Sequence, residues 1–284
     1  MTMIEAVVTR YGEPNALIAA CLRSLAAQQE VRLHVWFLDQ RPGQVADAEL
    51  AALCAELSSA SVTLHYQVIE PRSLSDARNQ GLARARADIV LFVDADATVD
   101  CRWAAELAGT FCLDPRIALV GGCTRPAWPH APRWFHRTSL AHEVYSLRDQ
   151  GAVARPDRNI IGVNFGLHRQ RLGPLAHFNP ELGRRPGSLL GGEEEELCER
   201  ARAAGQIVYY NGRALVHHHI QTERMALGWL VRRFYYAGFE RGARAQRPEP
   251  LKQGRSLSDL ALALLVAPGY TLGFVRARRI ERLG

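Results

Sequence analysis

The chain has 284 residues, 48% hydrophobic and 23% charged, a balance that excludes disordered and fibrous classes and leaves one large domain or two small ones. Its net charge of +6 is unevenly placed: from Gln221 onward 12 Lys and Arg face 5 Asp and Glu, which is +7, so residues 1–220 carry −1. A basic C-terminal section suits an anionic surface such as phospholipid, and with no nucleic-acid motif in sight no nucleic-acid partner is expected.

The N-terminus, Met1 to Val8, has no basic region followed by an apolar core, so it reads as a first strand rather than a secretory leader, and a cytoplasmic protein is expected. Six scattered cysteines without a Cys-x-x-Cys pair read as buried free thiols, not as a zinc site or disulfide framework. Along the first hundred residues strands and helices alternate. Strands are expected at Glu5–Thr9, Val31–Leu38, Val62–Val68 and Asp88–Val93, and helices at Ala16–Gln28, Gln44–Leu57 and Ser75–Arg86. That alternation predicts a mostly parallel, Rossmann-like α/β sheet covered on both faces, with ligands at the carboxyl ends of the strands. Thr9, Asp39 and Asp94 stand at such ends.

From about Cys123 to Asn159 the pattern loosens into Trp- and Pro-rich sequence, which in a compact domain points to a functional segment. Order returns with an apolar run at Ile160–Leu167 and a helix at Glu193–Ala204. Two strands, Ile207–Tyr210 and Ala214–His218, and a helix near Met225–Tyr236 follow. The apolar segment Leu257–Val275 contains Asp259, Pro268 and two glycines, and reads as too interrupted for a membrane span.

Three clusters could carry chemistry. Asp94 and Asp96 follow five apolar residues; two carboxylates so close repel unless a hard divalent cation joins them, although a solvated turn would also show this pattern. Glu193 to Glu196 open a helix, where acids complement the helix dipole, yet four exceed what that dipole can use. One facing a pocket would serve as a general base. In His217-His218-His219, strand alternation sends 217 and 219 to one face and 218 to the other.

In order and spacing these positions resemble glycosyltransferase family 2 from about Val7 to Gly242. Leu22-Arg23-Ser24-Leu25 matches the family's first helix, Ala77-Arg78-Asn79-Gln80-Gly81 its Ala-Arg-Asn-x-Gly, and Asp94-Ala95-Asp96 its Asp-x-Asp. Asp39 matches its nucleobase aspartate, though Gln40-Arg41-Pro42 departs from the usual continuation. Gly191-Gly192-Glu193-Glu194 is similar to its catalytic acidic stretch, with Glu-Glu in place of Glu-Asp, and His218 to its late histidine. The resemblance implies a GT-A-type fold over residues 1–245, with a nucleotide-binding half at 1–100, an acceptor and catalytic half at 101–245, and a basic, apolar helical extension at 246–284. It also implies an inverting transferase acting on a UDP-, GDP- or dTDP-sugar, with Mg²⁺ or Mn²⁺ on Asp94, Asp96 and His218. Glu194 would be the base, and Thr9, Tyr11, Asp39, Arg78 and Asp94 would hold the donor. Asn164, Trp128, Trp134 and Glu193 are expected on the side of a glycan, lipid-linked or small-molecule acceptor. Two competing functions are a sugar-phosphate nucleotidyltransferase, which would show a Gly-rich basic loop after the first strand, and a non-catalytic carbohydrate-binding protein, which would have lost an acidic ligand or the base. Arg276, Arg278, Arg279 and Arg282 after the apolar segment suggest peripheral contact with the cytoplasmic membrane face.

Overall fold

The structure, a computed structural model, describes residues 3–41, 43, 45–70, 72–128, 144–243 and 257–283. Trp134 lies outside the described residues. Strands β1 (Met3–Arg10), β2 (Arg32–Asp39), β3 (Val62–Val68) and β4 (Ile89–Asp94) alternate with helices α1 (Asn15–Ala26), α2 (Ala48–Leu57) and α3 (Leu74–Arg84). All four strands run parallel, in the order β3-β2-β1-β4.

Their apolar runs are continuous because both faces are covered. Along β1, Ala6 and Val8 join the core under α1 and α2, while Val7 faces the other core, under α3. β4 divides in the same way, with Leu91 and Val93 on one side and Val90 and Phe92 on the other.

After β4 the parallel expectation gives way to antiparallel pairing. The remaining elements are β5 (Ala97–Val99), α4 (Trp103–Thr110), β6 (Ile117–Ala127), β7 (Ala154–Asp157), β8 (Asn164–His168), α5 (Arg169–Leu172), α6 (Glu193–Ala203), β9 (Ile207–His219), α7 (Leu227–Ala243) and α8 (Leu257–Leu283). β8 pairs antiparallel with β4 and β6, and β9 with β5 and β7, giving one mixed sheet.

Three expectations need correction. Ile207–His219 is one strand, not two, because the ladder with β7 continues through Asn211. The Asn211 side chain turns inward to Glu106 and Thr110 instead of making a turn. α8 is continuous through Pro268 despite the backbone hydrogen bond a proline removes. Four cysteines are buried as expected, but Cys101 and Cys112 are exposed.

The chain forms two compact units. One unit comprises residues 1–126, 148–181 and 193–219; the other comprises 127–147, 182–192 and 220–284, so α7 belongs with α8. The second unit has its own core, with Tyr145, Ile220, Met225, Leu230, Phe234, Leu262 and Val266.

Candidate active site

The carboxylate turn follows from strand geometry. β4 ends at Asp94, two residues turn, and β5 begins at Ala97 opposite His218 of β9. This register sets His218 beside Asp96, with Nε2 3.4 Å from Oδ1 and both side chains buried. The His219 amide donates to the Asp96 carbonyl at 2.8 Å, closing the turn. His217 is exposed, and His219 lies 3.1 Å from the Thr98 hydroxyl. Behind the turn the Cys21 thiol of α1 donates to the Asp94 carbonyl at 3.7 Å. Burial, then the charges of Asp96 and Asp94, push this thiol up, so it stays protonated.

The Ala-Arg-Asn-x-Gly motif has a physical reading residue by residue. Ser73 caps α3 by accepting from the Asp76 amide. A Cβ at Gly81 would come within 2.5 Å of Val7 Cγ1, so the glycine lets α3 close onto β1. Asn79 donates to the Phe178 carbonyl and accepts from its amide, both at 2.8 Å, and so pins a distant segment of the same unit. Between these anchors Arg78 is 2% exposed. Its Nη1 meets Glu194 at 2.7 Å and Glu193 at 3.0 Å; its Nη2 meets Asp94 at 3.4 Å and the Gly162 carbonyl at 3.0 Å. The rings of Phe165 and Phe178 each lie 5.5 Å from the guanidinium carbon.

This placement resolves the four-acid run that opens α6. Glu193 and Glu194 share Arg78, and Glu196 pairs with Arg200 at 2.9 Å. A buried charge is costly unless paired, and here one cation meets three carboxylates. Burial would raise the Glu194 carboxyl, but Arg78 outweighs it and holds the group below its ordinary value. Glu194 is therefore ionised at neutral pH, the state a proton acceptor needs. Its carboxylate also crowds Gly162, where a Cβ would lie 1.7 Å from Glu194 Oε1. Gly162→Ala is expected to displace that carboxylate and slow turnover by roughly 10–100-fold with little change in thermal midpoint; turnover and a melting curve on one preparation check this.

At the ends of β1, β2 and β3 a polar cluster forms around Asp39. The buried Asp39 carboxylate accepts from Arg10 at 3.1 Å, the Tyr66 hydroxyl at 2.9 Å and the Arg41 amide at 3.0 Å. Asp47 receives Asn15 and Arg41 at 3.0 and 3.2 Å. Thr9 is buried at the end of β1 and Tyr11 is exposed just beyond it. Sequence reasoning missed Arg10, Tyr66 and Asp47. Arg10 lies between the expected Thr9 and Tyr11, whereas nothing in the pattern flagged Tyr66 or Asp47. Arg78, expected to help hold the donor, points its guanidinium at the acidic trio.

Two residues expected on the acceptor side have well-defined surroundings. Asn164 is fully buried, accepting from the Trp103 indole at 2.8 Å and donating to the carbonyls of Cys123 and Ala214 at 2.8 and 2.9 Å. Its hydrogen bonds are spent tying β8 to its neighbours. Trp128 packs, half-buried, on the core of the second unit.

Asp96 and His218 have the chemistry to hold a divalent cation. Two donor atoms on one octahedral Mg²⁺-sized ion stand about 3 Å apart, close to the 3.4 Å separating these two. Among the described residues no three His, Cys, Asp or Glu side chains form a ready-made cage. Such an ion would complete its shell with ligand oxygens, as Mg²⁺ commonly does with phosphates.

Two solved structures share the fold. One is a mannosyltransferase, PcManGT, from Pyrobaculum calidifontis in complex with GDP-Man and Mn²⁺, with TM-score 0.59, 18% identity, and 97% of this chain and 75% of that one covered. The other is GalNAc-T7 with UDP, GalNAc and Mn²⁺, with TM-score 0.59, 14% identity, and 94% and 55% covered. The sheet is thus that of a glycosyltransferase of the GT-A type. The glycosyl transferase family 2 model matches residues 6–173, more than half of the chain, and the chain belongs to that family. It is 28% identical over 261 residues to the succinoglycan biosynthesis protein ExoM of Rhizobium meliloti, covering 90% of this chain and 79% of the relative. It is also 28% identical over 179 residues to a glucosyl-dolichyl phosphate glucuronosyltransferase of Haloferax volcanii, covering 61% of this chain but only 56% of that protein's length. Family membership sets aside the nucleotidyltransferase alternative.

Proposed function

We propose that the protein is an inverting, metal-dependent transferase that moves a sugar from a UDP-, GDP- or dTDP-linked donor to an acceptor hydroxyl. The observation that carries this reading is the convergence of Glu194 and Asp94 on one buried guanidinium, beside the Asp96–His218 pair. Asp94 and Asp96, with His218, would hold Mg²⁺ or Mn²⁺ against the donor diphosphate. That ion, when bound, supplies positive charge to offset what develops on the departing nucleoside diphosphate.

Glu194 takes the proton of the acceptor hydroxyl. The acceptor oxygen then bonds to the anomeric carbon as the bond from that carbon to phosphate oxygen breaks on the opposite face. One base and direct transfer, with no sugar bound covalently to the protein, mean inversion. Arg78 holds the Glu194 carboxylate in place and ionised. The Asp39 cluster, with Thr9 and Tyr11, lies at the strand ends where a nucleoside would sit. The names of the relatives favour a glycan or lipid-linked acceptor, since one is a succinoglycan biosynthesis protein and the other acts in glucosyl-dolichyl phosphate chemistry. Peripheral contact with the cytoplasmic membrane face would suit the second of these.

Calorimetric titration with UDP, GDP and dTDP, with and without Mn²⁺, tests the metal assignment. One nucleotide is expected to bind at least about tenfold more tightly with Mn²⁺ present, and Asp96→Asn to lose that gain. Equal affinity with and without Mn²⁺ would remove metal from the reaction.

A further inference from the structure

The exposed side of α8 is apolar along most of its length. Leu257, Leu260, Leu264, Leu265, Leu272 and Val275 are 40–86% exposed, at spacings that place them on one stripe of the helix. From Leu257 to Val275 this stripe runs about 27 Å at the rise of an α-helix. Arg276 and Arg279 follow it on the same exposed side. An apolar stripe this long is unusual on a water-facing helix.

The opposite side of α8 is committed to α7. Cβ atoms at Gly238 and Gly242 of α7 would lie 2.0 and 2.5 Å from the carbonyl oxygens of Tyr270 and Phe274. One at Gly273 of α8 would lie 2.0 Å from the Tyr235 carbonyl oxygen. Glycines on both helices thus bring the two backbones into close contact and fix which side of α8 faces outward.

We infer that α8 lies flat in the surface of an anionic lipid bilayer, its leucine stripe among the acyl chains and Arg276 and Arg279 at the headgroups. The helix is long and apolar enough over Asp259–Arg279 to cross a membrane. The packing argues against crossing, because α7 would have to follow with Arg232 and the Arg233–Glu240 ion pair, which is expensive in hydrocarbon. Charge chooses the bilayer over a second copy of the chain. The section from Gln221 onward carries +7, so two copies meeting there repel, whereas anionic headgroups attract it. The inference gives the peripheral contact proposed above a specific face and orientation, and rests on that reading only in its choice of a lipid surface.

Co-sedimentation of the full chain with phosphatidylcholine vesicles, with and without about 30% phosphatidylglycerol, tests it without any sugar donor. The protein is expected to pellet with the anionic vesicles, bind neutral ones at least roughly tenfold more weakly, and come off in alkaline carbonate. Leu264→Glu with Leu265→Glu should weaken binding by roughly tenfold or more, since both side chains leave the acyl region. Arg276→Glu with Arg279→Glu should abolish the preference for anionic lipid. The proposal is overturned if the full chain stays in the supernatant with both vesicle types, if the leucine pair leaves partitioning unchanged, or if carbonate fails to strip the protein, which would mean a spanning helix. A dimer that the leucine pair dissociates, with vesicle binding unaltered, would assign the stripe to a second copy instead. Nucleotide titration of the same preparations keeps this outcome separate from the transferase reading.

Discussion

Glu194→Gln should bind nucleoside diphosphate as tightly as the unaltered protein and transfer sugar about 10²–10⁴-fold more slowly, the usual contribution of a positioned proton acceptor. The amide oxygen of glutamine can still accept the 2.7 Å hydrogen bond from Arg78, so the pocket keeps its shape. What is lost is the basic oxygen. Single-turnover transfer beside calorimetric donor binding separates the two effects. Weakened binding with unchanged turnover would instead place Glu194 on the donor. Glu193 is the internal control: it meets the same guanidinium from a position only 2% exposed, so it is shut away from an incoming hydroxyl.

Arg78→Ala is the second large effect, and it falls on stability. Removing the guanidinium leaves Glu193 buried and Glu194 half-buried without their cation, which costs on the order of 3–5 kcal/mol for a broken buried pair. Urea denaturation at neutral pH measures that loss. Its pH dependence has a definite sign. Arg78 holds the Glu194 carboxyl below its ordinary value, so the stabilisation is present at neutral pH and is lost as pH falls through the folded-state value. The gap between wild type and Arg78→Ala should therefore narrow in acid. A gap independent of pH would mean that packing on Phe165 and Phe178, not charge, carries the effect.

The first four strands were legible in the sequence because their apolar runs are long and unbroken and the helices between them are periodic. The second half was harder to read. α4 is only eight residues and ends near Gly109, too short for a helical period to stand out. Asn211-Gly212 looks like a turn, yet strand pairing with β7 and the inward bonds of Asn211 override the local preference. For the site, the motif order put forward the acidic residues and His218 as candidates but said nothing of their pairing. Nothing local in Ala77-Arg78-Asn79 says that the guanidinium crosses to residues 193 and 194, since that contact joins positions 115 and 116 apart. Asn164, expected on the acceptor side, makes three hydrogen bonds to groups far away in sequence, which no local pattern shows.

Release of nucleoside diphosphate from a panel of UDP-, GDP- and dTDP-sugars, with Mn²⁺ and then with EDTA, tests the transferase mechanism most directly. A metal-dependent transferase with Glu194 as its base consumes one donor class with Mn²⁺, stops with EDTA, and slows at least about a hundredfold in Glu194→Gln. Donor consumption that continues at the wild-type rate in Glu194→Gln, or that is indifferent to EDTA, would contradict it.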